Sequence, residues 1–223
     1  MRIRAGVLCF VALMFGATGA VSPIKAQGRA NAVEQPASSP TPEQMQALTK
    51  AHQGEFDYLL GDWEFNAVHV DYGKTRGYWS AVRVAEGPQV LDEFRVVGDS
   101  GQTYHASSTL RSYNALRDRW EIVTMVAGSG FLNKGTARRV GSEMHIDQVF
   151  GVMEDRPALW RIRYYDIQPD HFSWTADRTA DGGKTWQENF FHIDARRIGP
   201  ARSLGPLTPV NRPPVATADG TLR

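Results

Sequence analysis

The chain has 223 residues, with 25 Lys and Arg against 24 Asp and Glu. So even a balance leaves no field to draw the protein to nucleic acid or an anionic membrane, and the expected partner is small or neutral. The only cysteine, Cys9, lies in an N-terminal apolar run, so thiolate catalysis, thiolate metal ligation and redox exchange are excluded once that run is removed.

Arg2 and Arg4 precede the apolar run Ala5 to Phe15, and small residues follow, which is the layout of a secretory leader. Roughly a dozen residues is short for a membrane span, which needs about 20. Residues 1–26 are read as a signal peptide cut after Ala26, with Ala20 and Ala32 as alternative sites, which makes the protein periplasmic or secreted. Residues 27–40 are rich in Gln, Ala, Ser and Pro and read as linker. Thr41 then offers an N-cap, Pro42 suits the first helical position and Gln44 completes a capping box. The pattern predicts one short helix from Pro42 to about Gln53, closing a linker-and-helix segment 27–54. Its apolar stripe, Met45, Leu48 and Ala51 or His52, suits the end of a larger body.

From Trp63 onward strands alternate with turns. Strands are predicted at 62–70, 75–86, 89–97, 103–113, 119–127, 131–139, 143–150, 158–166, 171–178 and 186–197. The breaks carry turn chemistry, such as Asp71-Tyr72-Gly73, Gly98-Asp99-Ser100-Gly101 and Asp181-Gly182-Gly183. Every gap is short enough for antiparallel neighbours in chain order, and closing such a sheet removes its edges. The fold class is all-β: an up-and-down antiparallel barrel of about ten strands over 55–198, with one short N-terminal helix. A barrel of eight strands already holds a small ligand, so one of about ten leaves room for more. The tail 199–223, with Pro200, Pro206, Pro209, Pro213 and Pro214, reads as disordered.

The segment Phe56-Asp57-Tyr58-Leu59-Leu60-Gly61-Asp62-Trp63-Glu64 resembles the opening of an uncharacterised bacterial family of lipocalin-like, or calycin-like, barrels. Leu110-Arg111-Ser112-Tyr113-Asn114 with Arg119-Trp120, and Asp181-Gly182-Gly183-Lys184-Thr185-Trp186, are similar to later parts of the same family. The resemblance covers about residues 55–198, implies the fold, and assigns no reaction. It implies that Gly61 and Trp63 help close one end of the barrel.

Three sites share the pattern His-x-Asp: His69-Val70-Asp71, His145-Ile146-Asp147 and His192-Ile193-Asp194. In a strand the His and Asp share a face, which suits acid/base work or a supported metal ligand. The plainer reading turns Val70, Ile146 and Ile193 inward and the polar pairs to water. The last strand is faintly similar to that of the nitrobindins, whose haem is held by a histidine there; only His192 carries over, and Phe65 stands where those proteins have a further glycine. Thr179 to Trp186 matches an Asp-box, which recurs in propellers but occurs once here. It is read as a local turn closed by Asp181 and covered by Trp186.

One face of the fourth strand carries His105, Ser107, Thr109, Arg111 and Tyr113, the other Ala106, Ser108 and Leu110. If the first face lines the interior, Arg111 and Tyr113 could grip a carboxylate or phosphate head; if not, it is outer wall. Trp63, Arg111, Tyr113 and Trp120 are the candidate residues for barrel closure or ligand contact. No phosphate loop, zinc helix, nucleophile elbow or cysteine pair is present. The reading is an exported, monomeric or weakly dimeric barrel that binds a small apolar or amphipathic molecule, without cofactor, metal, nucleic acid or membrane span. Rival readings are an enzyme with a strand histidine such as His69 or His105 as acid/base, and a solid-cored interaction module.

Overall fold

The computed structural model describes residues 39–84 and 87–204. The expected leader, most of the linker and the tail from residue 205 onward lie outside the described residues.

Helix α1, Pro42–His52, begins as the capping pattern predicts. Gln44 N–H donates to Thr41 Oγ1 at 3.3 Å and Thr41 N–H to Gln44 Oε1 at 2.8 Å. None of its residues is fully buried. Leu48 packs on the barrel core, and His52 stacks on Tyr113 at 5.0 Å. A single 3-10 turn at Asp57–Leu59, not anticipated from the sequence, leads into the first strand.

Ten strands follow: β1 Gly61–His69, β2 Gly73–Arg83, β3 Gln89–Val97, β4 Thr103–Asn114, β5 Arg119–Val126, β6 Leu132–Val140, β7 Glu143–Phe150, β8 Ala158–Tyr165, β9 His171–Thr179 and β10 Gln187–Gly199. Each pairs antiparallel with its neighbour in sequence, and β1 pairs with β10, so the sheet closes into an up-and-down, lipocalin-like barrel. Alternate side chains therefore point into one shared lumen. In β1 the inward set is Trp63, Phe65, Ala67 and His69, all buried. Residues 200–204 continue beside β2, where Ser203 bridges to Arg83 and Leu204 N–H donates to the Arg83 carbonyl.

Two local devices shape the interior. Gly61 has φ +111°, and a Cβ there would stand 2.6 Å from Arg197 Nη1 and 2.7 Å from the Gly199 carbonyl. Only glycine lets β1 begin this close to β10. In β10 the register shifts between Gln187 and Phe191, with Asn189 at φ +50°. This bulge brings Phe190 inward to full burial, edge-on to Trp160 at 4.5 Å.

Candidate ligand site in the barrel lumen

The end of the barrel nearest the helix is a closed floor. Phe56, Leu59, Trp63, Trp120 and Phe172 are each 0% exposed. Trp63 Nε1–H donates to the Leu59 carbonyl at 2.8 Å, and its ring lies 4.7 Å from Phe172. The Arg197 guanidinium sits 4.1 Å from the centre of the Trp63 ring. The same guanidinium donates to the carbonyls of Leu60, Tyr58 (2.9 Å) and Pro169 (2.6 Å). One cation thus ties the 3-10 turn to the last strand and caps the tryptophan face. Trp120 is edge-on to Phe56 at 4.9 Å, and its Nε1–H donates to Glu55 at 2.9 Å.

Above the floor lies a polar chain crossing the lumen. Asp92 on β3 pairs with Arg111 on β4, and both side chains are almost wholly buried. Arg111 Nη2 then donates to the Tyr164 hydroxyl on β8 at 3.2 Å, and Trp174 on β9 is the cross-strand neighbour of Tyr164. Burial pushes the Tyr164 phenol upward, against the opposing pull of Arg111 and Trp174. Burial likewise holds Tyr58 well above the usual phenol range. Both hydroxyls therefore keep their protons and remain able to donate.

Around this chain four buried polar atoms have no hydrogen-bond partner among the described residues: Tyr58 OH, Trp79 Nε1, Asp92 Oδ1 and Arg111 Nε. The rings of Tyr58 and Trp79 each lie 5.8 Å from that of Tyr164. Leaving such an atom unpaired costs about 1–3 kcal/mol.

The remaining lumen, toward the opposite end, has two kinds of wall. Ser107, Thr109, Thr124 and Gln148 form a hydroxyl and amide surface, with Thr109 and Thr124 bonded at 3.0 Å and Gln148 reaching Thr124 at 3.3 Å. They retain 6–9% exposure, unlike the sealed floor. Beside them are aromatic groups, Phe94 next to Ser107 and Trp160 next to Gln148: Phe65 stacks on Phe94 at 4.9 Å, and Phe150 on Trp160 at 3.6 Å. His105 lies at this end, 6.0 Å from Phe94, and burial draws its imidazole below the usual value.

The four residues singled out in the sequence occupy different places. Arg111 faces the lumen centre, whereas Trp63 and Trp120 are in the floor. Tyr113 faces inward at the helix end, where its OH donates to Asp118 at 2.5 Å. Burial, then Asp118, drives that phenol upward. Arg111 and Tyr113 therefore do not form a paired anion grip: one is engaged by Asp92, the other by Asp118. Asp92, Tyr164, Tyr58, Trp79 and Arg197 were not singled out. A signal existed, because Asp92 shares its strand face with Val90 and Val96, and Arg197 shares one with Ile193 and Ala195.

The His-x-Asp pairs are not brought together. His192 faces outward beside Asp194 at 3.3 Å, so haem ligation from inside the barrel through this residue is not supported. His145 is also on the outer wall, 2.8 Å from Glu143. His69 faces inward at the end opposite the floor, packed against Phe190, and its Nδ1 accepts from the Asp71 N–H at 3.1 Å while Asp71 pairs with Arg178 at 2.8 Å. Asp181 accepts from the backbone N–H groups of Lys184 and Thr185, each at 3.0 Å, as the local reading of that turn requires. A concavity of about 650 Å³ on the outer wall is lined by mixed charges, including Arg161, Arg163, Asp147 and Asp177. Arg161 and Asp177 approach each other at 3.7 Å, and that surface reads as a solvated face.

No family model and no curated protein matches the chain. Among solved structures it is similar to EF1p2_mFAP2b bound to DFHBI, with 13% identity and a TM-score of 0.34, over 66% of this chain and 99% of that one. It is also similar to the S-type phycobiliprotein lyase CPES from Guillardia theta, with 12% identity and a TM-score of 0.43, over 67% and 97%. Neither likeness assigns a ligand or an activity to this chain.

Proposed function

We propose that this protein is an exported barrel whose lumen holds a small amphipathic molecule. The observation that carries the reading is the group of unpartnered polar atoms at the lumen centre, Tyr58 OH, Trp79 Nε1, Asp92 Oδ1 and Arg111 Nε. Buried polar groups are almost always hydrogen-bonded, and a ligand head seated there satisfies several at once. The aromatic walls of Phe65, Phe94, Phe150 and Trp160 suit an apolar or planar body.

Native mass spectrometry of the protein purified from its own host tests this directly. A co-purifying small molecule, lost in Arg111→Met, is the expected result. Absence of any such molecule, together with tryptophan fluorescence that no apolar or amphipathic probe changes, would overturn the reading. Export is checked in the same preparation: the mature mass should lack residues 1–26.

A further inference from the structure

The charges in the lumen bear on which head group it accepts. Arg111 is the cation nearest the centre, and Asp92 engages it. Arg197 in the floor is committed to three carbonyls and the Trp63 ring. Arg178 lies over Phe190 at 4.7 Å and pairs with Asp71. Burial favours the neutral imidazole at both His69 and His105. What the centre offers beyond its own ion pair is three donors, on Tyr58, Trp79 and Arg111, and one acceptor, Asp92 Oδ1.

We propose that the lumen selects an uncharged ligand head, a carbonyl or hydroxyl group, over the carboxylate of the same skeleton. The inference rests on the ligand-carrier reading above and deepens it. A carbonyl oxygen accepts from the Trp79 N–H, the Tyr58 hydroxyl or Arg111 Nε and leaves the Asp92–Arg111 pair intact. A hydroxyl does the same and donates to Asp92 Oδ1. A carboxylate instead places a second anion beside Asp92, with one guanidinium to serve both, in surroundings where unlike pairing is strong and like charges repel. The sequence-based expectation of an anion grip at Arg111 and Tyr113 is thereby inverted: the arginine supplies directed N–H groups, and its charge is cancelled in place.

The test compares probes of one shape and different charge on the intact mature protein near neutral pH: 9-anthracenemethanol, 9-anthraldehyde and 9-anthracenecarboxylate, with decanol and decanoate as an aliphatic pair. Affinity is read from tryptophan quenching and calorimetry. The neutral members should bind at least about tenfold more tightly than the carboxylates. In Asp92→Asn, where Arg111 keeps its charge, the carboxylates should gain and the preference should narrow or reverse. Equal or tighter binding of the carboxylates by the native protein overturns the inference and leaves the carrier reading standing. Failure of every probe to bind overturns the carrier reading, and this inference with it. The native comparison does not depend on the variant folding.

Discussion

Removing Arg111 exposes how much of the fold rests on its pairing with Asp92. In Arg111→Met the Asp92 side chain, 0% exposed, loses its charged partner, and Tyr164 loses a donor. Breaking one arm of a buried pair costs about 3–5 kcal/mol, chiefly because a charge is left without compensation. Asp92→Leu should cost less, because Arg111 retains Tyr164 at 3.2 Å and lies 5.2 Å from the Phe56 ring centre. The double variant, Asp92→Leu with Arg111→Met, removes both charges and replaces them with apolar volume. It should return to within about 1–2 kcal/mol of the native protein or exceed it. Urea unfolding followed by far-ultraviolet circular dichroism and tryptophan fluorescence measures all four corners of the cycle. With a slope of about 1–3 kcal/mol per molar, the Arg111→Met midpoint should fall by roughly 1–5 M. If the single variant loses under about 1 kcal/mol, or the double loses the sum of the two singles, the pair is not coupled and the reasoning fails.

Three further outcomes follow from local geometry. Gly61→Ala forces a side chain onto φ +111° against Arg197 and the Gly199 carbonyl, and should lower stability by about 1–3 kcal/mol, read as a fall in melting temperature; an unchanged value would refute the close approach. Thr41→Ala removes the α1 cap and should cost the helix about 1 kcal/mol, seen as lost helical dichroism with the barrel's unfolding midpoint nearly unmoved. His105 has its folded pKa lowered from 6.5 by burial, so the unfolded state binds more protons; its stabilising contribution is complete above about 6.5 and is lost as pH falls through the lower folded value. His105→Gln should therefore flatten the decline in unfolding midpoint on acidification below about 6.5, while Asp71, held low mainly by its hydrogen bond from Arg178, acts in a separate window below its usual 3.8.

The ten strands were legible because period-two alternation and turn chemistry are local signals. β3 and β7 match their predicted ranges, and the others differ by a few residues at their ends. The helix was legible for the same reason, since its cap uses only Thr41 and Gln44. The site was legible at Arg111 and not at its partners. Tyr164 reaches Arg111 only after the barrel closes, and nothing within β8 announces that meeting. The Phe190 bulge was hidden because a single Asn at positive φ resets the face of every residue after it. Arg197 reads locally as one more charge in an Arg196-Arg197 pair, yet its fellows Ile193 and Ala195 show that it ends an inward row.

The facing of β4 was ambiguous in the sequence, and the reason bears on how the barrel finds its register. One face carries Ser107, Thr109, Arg111 and Tyr113; the other Ala106, Ser108, Leu110 and Ser112. Apolar burial barely separates them, so the hydrophobic effect alone is a weak guide to which face turns inward. Asp92 lies inward on β3, opposite Thr109, with Arg111 diagonally beyond it. A one-residue slip of β4 would turn Arg111 to solvent and bury Leu110 in its place, leaving Asp92 unpaired at a cost of about 3–5 kcal/mol. That penalty exceeds the few tenths to 1 kcal/mol by which ordinary cross-strand pairs discriminate registers. The pair therefore selects the register that the apolar pattern leaves open, and the Arg111–Tyr164 bond extends the selection across the lumen to β8. The double variant described above should accordingly keep its stability and lose its single register, visible as doubled amide resonances for β4 and β5 in a two-dimensional NMR spectrum. A single set of native-like resonances would show that closure and turns fix the register without the charges.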